Sequence, residues 1–195
     1  MGVWTYHYKN MLDEMKQWRT EAQEKTGAFE QAYVNVADEM IALAEQATEM
    51  LEASCYLKWV EEIGQYGYMC HQDYGSGNAL QTDKGVYVLD LDNVAYDIPL
   101  RDVRKLITKR MEEIDGKWEQ AELEKLVSSY ESVLPLTDEQ RKVLYIDMLY
   151  PHQFYGCVKN PFKKGKTGEL KKIEKNYRLE IEKLPLLRQL LNINE

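Results

Sequence analysis

The chain has 195 residues, 44% of them hydrophobic, enough to bury a core in one compact domain and to exclude a wholly disordered polymer. It carries 25 Lys+Arg against 33 Asp+Glu, a formal net charge of −8, which argues against a nucleic-acid-binding surface. No apolar run approaches the roughly 20 residues of a membrane span. The start, MGVWTYHYKNMLDEM, lacks a basic segment followed by an apolar one, so neither a membrane nor a secretory signal is expected.

Residues 1 to about 65 read as helix, because apolar positions recur as Trp4, Tyr8, Met11, Met15 and Trp18, then as Phe29, Tyr33, Val36, Met40, Leu43, Ala47 and Leu51. Gly27 marks a break between two helices. A third helix is predicted from Ser54 as N-cap through Leu57, Val60 and Ile63, with Gly64 and Gly67 stopping it. From Tyr68 to Asp92 the texture changes to YMCHQDYGSGNALQTDKGVYVLDLD: an apolar entry, a Gly-rich loop, and two β-like runs joined by Thr82-Asp83-Lys84-Gly85. Pro99 sets the start of a helix from Arg101 to about Ile114, with Val103, Leu106, Ile107 and Met111 on its apolar stripe.

Two amphipathic helices are predicted next, about Glu119 to Val133 and Thr137 to Tyr150, the second opened by a Thr137-x-x-Gln140 capping box and closed by Pro151. Residues 159–172, KNPFKKGKTGELKK, read as a basic loop. A last helix then carries Ile173, Tyr177, Ile181 and Leu184, with Leu187 and Leu190 beyond Pro185. The expected architecture is mainly α with a small β-hairpin, in a single domain over 1–195: helices in 1–65, a loop and hairpin in 68–92, helices in 100–192.

The three cysteines, Cys55, Cys70 and Cys157, are widely spaced and odd in number, which fits free thiols in a reducing compartment. With three His and no Cys-x-x-Cys, no structural zinc site is expected. Chemistry concentrates in His71-Gln72-Asp73-Tyr74-Gly75-Ser76-Gly77-Asn78, which fits the His-x-Asp-x-x-x-x-Asn pattern of kinase catalytic loops, where the Asp accepts a hydroxyl proton and the Asn binds Mg²⁺. A hairpin folded at Asp83-Lys84 brings Asn78 and Asp90 together across the open end of its ladder, supplying an amide oxygen and a carboxylate to a hard cation. Asp92, expected on the same strand face, is a candidate for support of that ion or for a second one.

The stretches HQDYGSGN, GVYVLDLDNVAYDIPLRDVRKLI and MLYPHQFYG resemble the CotS family of spore coat proteins, which are similar to the aminoglycoside phosphotransferase and choline kinase superfamily. The resemblance extends over nearly the whole chain. It implies the C-terminal, helical lobe of a protein-kinase-like phosphotransferase fold that uses ATP and Mg²⁺ to phosphorylate a hydroxyl of a small molecule or glycan. It implies further that Asp73 is the general base, that Asn78 and Asp90 hold magnesium, that His71 is structural, and that Asp102 braces the catalytic loop by hydrogen bonds. The implied setting is the mother-cell cytoplasm and the spore coat.

A complete enzyme of this kind also needs an N-terminal lobe with a Gly-rich loop and a strand Lys. The 11 glycines include no Gly-x-Gly-x-x-Gly, so only the second half is represented, and this chain alone is expected to bind ATP weakly and turn over poorly. The alternative is a non-catalytic coat component that keeps the fold as a scaffold for other coat proteins. Gly165-Lys166-Thr167 imitates the end of a P-loop, but Asn160 stands where its first Gly belongs. The lysines of 163–172 lack the interleaved aromatics of a nucleic-acid surface, and they read as a solvated loop or a contact for an acidic partner.

Overall fold

The computed structural model describes residues 3–64, 67–114 and 116–193; the outer limits of the predicted first helical stretch, at 1–2 and 65, lie outside them. In chain order the elements are α1 (Trp4–Gln23), α2 (Ala28–Ala53), α3 (Tyr56–Ile63), β1 (Tyr68–Cys70), β2 (Ala79–Thr82), β3 (Gly85–Val88), β4 (Ala95–Asp97), α4 (Leu100–Glu113), α5 (Gln120–Glu131), α6 (Asp138–Leu149), α7 (His152–Lys164), α8 (Leu170–Glu182) and α9 (Leu184–Leu191). The chain divides into two compact units, one within Ser54–Asp147, the other combining Val3–Ala53 with the segment from Met148 onward.

The second unit is all helix. Met15, Trp18 and Ala22 of α1 and Tyr33, Met40, Ala44 and Leu51 of α2 are buried at helical spacing, as are Phe154 and Val158 of α7 and Leu187 of α9. The Tyr33 hydroxyl donates to the Met15 carbonyl at 2.8 Å, and the Tyr150 hydroxyl to the Tyr8 carbonyl at 3.0 Å, so both aromatics are anchored at their polar ends.

A buried ion pair secures the start of α7. Glu180, 1% exposed on α8, accepts the Gln153 N–H at 2.8 Å and the Phe154 N–H at 3.1 Å. These are orphan donors of the first turn of α7, and a carboxylate there also meets the positive end of the helix dipole. Lys183, 5% exposed, pairs with Glu180 and donates to the Tyr150 carbonyl at 3.1 Å. Each buried charge is thus both paired and hydrogen-bonded, the condition for burying it at all.

The predicted basic loop over 159–172 requires correction. Residues 159–164 continue α7, and α8 begins at Leu170, leaving a connection of 165–169. Pro161 inside α7 removes one helical donor, which made the segment read as a loop. Packing overrides it: the Phe162 ring stacks on Trp18 with centroids 5.4 Å apart and planes 8° from parallel. Gly165, at φ 59°, caps the helix in the left-handed region.

In the first unit, β2 and β3 form the predicted hairpin, with Ala79 opposite Val88 and Thr82 opposite Gly85. The Thr82 hydroxyl accepts from Lys84 N–H at 3.1 Å and donates to the Gly85 carbonyl at 2.9 Å, which closes the turn. A second antiparallel ladder pairs β1 with β4, Met69 opposite Tyr96 and Cys70 opposite Ala95. The sequence did not reveal β4, since three residues are too few to show alternation. Pro99 caps α4, whose Leu100, Val103, Ile107 and Met111 are buried. The capping box of α6 is reciprocal, Thr137 N–H to Gln140 Oε1 at 2.9 Å and Gln140 N–H to Thr137 Oγ1 at 3.2 Å. The predicted cap of α3 is shifted by one: Cys55 is the N-cap, and Ser54 Oγ accepts from the Tyr56 N–H at 3.1 Å.

Lys183→Met should destabilise the protein by about 3 kcal/mol, because it strands the Glu180 carboxylate in the interior. The exposed control Lys142→Ala should leave the transition in place; equal effects of the two in urea unfolding would refute the assignment.

Candidate active site

All the candidate site residues fall in the unit within Ser54–Asp147. Strand β1 ends at Cys70, whose Sγ lies 3.2 Å from both the Tyr68 and the Asp97 carbonyl oxygens, which share its one S–H, and the chain leaves the β1–β4 ladder at His71. The loop 71–78 then runs to the start of β2. His71 is 8% exposed. Its Nε2 lies 2.8 Å from the Leu89 carbonyl, which can only accept, and its Nδ1 receives the Asp73 N–H at 3.3 Å. The two contacts together require the tautomer with hydrogen on Nε2, and they tie the loop to the end of the hairpin.

Gln72 sits at φ 69°, in the left-handed region that L-residues avoid. Asp102, in the first turn of α4, holds the backbone there. Its Oδ2 accepts the Gln72 N–H at 3.0 Å and its Oδ1 the Tyr74 N–H at 3.3 Å. One carboxylate thereby fixes the residues on both sides of Asp73 and leaves the Asp73 side chain directed into solvent, where it is exposed.

The Asp73 carboxylate meets two donors. Lys105 of α4 pairs with Oδ1 and also reaches the Gln72 carbonyl at 3.4 Å. Asn78 Nδ2 donates to the Asp73 carbonyl at 2.9 Å and to Oδ2 at 3.4 Å. The hydrogen bond from the Lys105 ammonium, and then its charge, hold Asp73 below the usual carboxylate range against the opposing effect of burial, and the field of Arg101 acts in the same direction as Lys105. Both acceptors facing the Asn78 amide lack hydrogens, so its nitrogen must point at Asp73 and its oxygen away from it.

The Asn78 carbonyl accepts the Leu89 N–H at 2.9 Å, so Asp90 follows directly on the residue paired with Asn78. Strand β3 ends at Val88, and Asp90 takes φ 55°. Among the described residues only three non-glycine residues have positive φ, and two of them are Gln72 and Asp90, which makes this loop and hairpin end the strained part of the unit. The expected placement of Asp92 on the same strand face as Asp90 is corrected: Asp92 lies in a 3₁₀ turn, Leu91–Asn93, because the left-handed Asp90 ends the extended chain. Asp90 and Asp92 are both exposed.

An amide oxygen and a carboxylate are a hard donor set. Mg²⁺ suits such a set, since it takes one or two carboxylates and completes its octahedron with water and phosphate oxygens. Among the described residues no group of three or more His, Cys, Asp or Glu gathers as a self-contained cage. Asn78 and Asp90 fit an ion of that kind and would not suit zinc.

Sequence reasoning missed Lys105. The signal was present, because Lys105 stands three residues after Asp102, and residues so spaced share a helix face. Once Asp102 faces the loop, Lys105 must as well.

With this geometry in hand, similarity to known proteins can be stated. Residues 1–191 match the family described as "Spore coat putative kinase YutH". The chain is 30% identical over 155 residues to spore coat protein S of Bacillus subtilis, a match covering 79% of this chain and 44% of that protein. It superposes on the crystal structure of an aminoglycoside phosphotransferase from Alicyclobacillus acidocaldarius with a TM-score of 0.79 and 16% identity, over 98% of this chain and 60% of that one. The fold, mainly helical with a small hairpin, is that of the helical lobe of a kinase-like phosphotransferase.

Asp102→Ala should lose about 2 kcal/mol of stability, because two backbone donors and a left-handed Gln72 lose their acceptor. Hydrogen exchange should quicken at Gln72 and Tyr74; unchanged protection at both would remove Asp102 from this role. Acid should act through Asp73. A carboxyl lowered in the folded state stabilises above its unfolded pKa of about 3.9, and that contribution disappears as pH falls through the lower folded value. Lys105→Met should therefore flatten the fall in melting temperature between about pH 5 and 2.

Proposed function

Because the chain belongs to the YutH family of spore coat kinase-like proteins, we propose that it forms the substrate lobe of an ATP- and Mg²⁺-dependent phosphotransferase acting on a hydroxyl of a small molecule or glycan. The observation that carries this reading is the coupling of Asp73 to Asn78 in a loop whose strained backbone is held by Asp102. Backbone strain of this kind, at about 1–2 kcal/mol per residue, persists where the surroundings over-determine it.

In this reading Asp73 accepts the proton of the acceptor hydroxyl as the oxygen attacks the terminal phosphorus of ATP, in line with the bond to the departing ADP. The loop carries out no covalent chemistry; its task is to hold Asp73 against the acceptor, and such positioning can account for most of the rate gain. Asn78 fixes the rotamer of Asp73 through its amide nitrogen and offers its oxygen, with Asp90, to Mg²⁺. Bound there, Mg²⁺ would supply charge neutralisation for the phosphates, which a chain of net charge −8 otherwise repels. His71 and Asp102 are positioning residues, and Asp92 stands ready to orient water around the ion.

A second reading, a structural coat protein, is favoured by one observation. The β-strands leave Met69 73%, Leu80 53% and Tyr96 60% exposed, and the turn after β3 leaves Leu91 59% exposed, more apolar surface than an isolated lobe needs. Contact with other coat proteins there would be compatible with catalysis. We place the protein in the mother-cell cytoplasm and the spore coat on its family; among the described residues no helix is long and apolar enough to cross a membrane.

Asp73→Asn in the full-length protein should lower phosphoryl transfer from MgATP by about 10²–10⁴-fold, the usual share of a general base, with the circular dichroism spectrum unchanged. Transfer at the wild-type rate would remove Asp73 from its role and leave the scaffold reading.

A further inference from the structure

Between Asp73 and Asn78 the loop reads Tyr-Gly-Ser-Gly and offers no cation. Phosphoryl transfer nevertheless needs positive charge on the group in flight, from metal, Lys or Arg. The helix supplies what the loop lacks. We propose that Lys105 is a phosphate-contacting residue of this site, delivered from α4, whose ammonium leaves Asp73 for the terminal phosphate of ATP. The inference rests on the phosphotransferase reading above and deepens it.

Three observations carry it. First, Lys105 reaches the same carboxylate that is assigned to the acceptor, on the oxygen opposite the one that faces Asn78. A group held against Asp73 is therefore within one side-chain reorientation of the transferring phosphorus. Second, the Lys105 side chain is 32% exposed and that of Asp73 55% exposed, so the pair is not locked in an interior. A surface ion pair of this type contributes little to stability, and exchange of one oxyanion for another is nearly balanced. Third, Arg101 lies one turn before Lys105 on α4, and its field also reaches Asp73. Lys105 alone contacts the carboxylate, and Arg101 on the same helix face adds a weaker field of the same sign, so the helix presents more positive charge toward the loop than the ion pair uses.

Lysine rather than arginine suits this task. Its compact ammonium, on a flexible stem, can pivot between two oxyanions without the fixed fork of a guanidinium. With Lys105 drawn to phosphate, Asp73 Oδ1 is released from the ammonium to face the acceptor hydroxyl.

The test compares MgATP with MgADP, using the full-length protein and isothermal titration calorimetry. Lys105→Met should weaken MgATP by about tenfold, the loss of one charge-assisted hydrogen bond, and leave MgADP within about twofold. The double variant Lys105→Met/Asp73→Asn then separates contact from mere charge balance. If Lys105 touches phosphate, the double variant stays weak for MgATP. Recovery of wild-type affinity in the double variant would show that Lys105 only neutralises Asp73, and would overturn the proposal. An unchanged ratio of MgATP to MgADP affinity in Lys105→Met would overturn it as well, with the phosphotransferase reading intact. Failure of the wild-type protein to bind either nucleotide would sink both.

Discussion

The conformation of the 71–78 loop depends on the carboxylate of Asp102. A loop that must turn sharply at a non-glycine residue has two costs, a left-handed backbone and N–H groups with no partner in a ladder or helix. Asp102 answers both at once by accepting from Gln72 and Tyr74. It can do so because it occupies the first turn of α4, where the helix dipole favours a negative charge and Pro99 fixes the approach of the chain. Asp73 is then displayed between two fixed neighbours, with Lys105 and Asn78 meeting its carboxylate.

The same device appears in the other unit with a different outcome. Glu180 too spends one side chain on two backbone N–H groups, here the consecutive ones of Gln153 and Phe154 rather than a pair flanking a third residue. There the carboxylate is 1% exposed and needs Lys183 to offset its burial. Asp102 is half-buried and has no such requirement, so charge around the loop is free to serve Asp73. Burial sets the difference between the two motifs: the buried carboxylate requires a paired cation and the half-buried one does not.

Legibility in the sequence followed distance along the chain. The capping box of Thr137 and Gln140 and the hairpin turn at Asp83-Lys84 involve residues within a few positions of each other, and each is readable from spacing. Strand β4 was not, because Ala95–Asp97 becomes a strand only by pairing with Tyr68–Cys70, far upstream. The helical run through Pro161 was hidden for a related reason: local propensity said loop, while the stacking of Phe162 on Trp18 said helix, and tertiary packing won. Asp92 was misplaced by a single residue's conformation, since the extended run LDLD gives no sign that Asp90 will leave the β region.

That conformation is itself informative. Glycine at position 90 would relieve the left-handed strain, and asparagine would tolerate it, yet the position carries a carboxylate. The chain therefore bears strain and an exposed negative charge together, one residue beyond the Leu89 carbonyl that accepts from His71 and the Leu89 N–H that pairs with Asn78. Neither feature helps the hairpin, whose ladder has already ended at Val88. A backbone turned out of the β region at this point swings the Asp90 side chain away from the strand direction that Asp92 would have shared. An exposed carboxylate held in the left-handed region one residue past the Leu89–Asn78 pairing is the feature that the proposed cation site at Asn78 and Asp90 would account for.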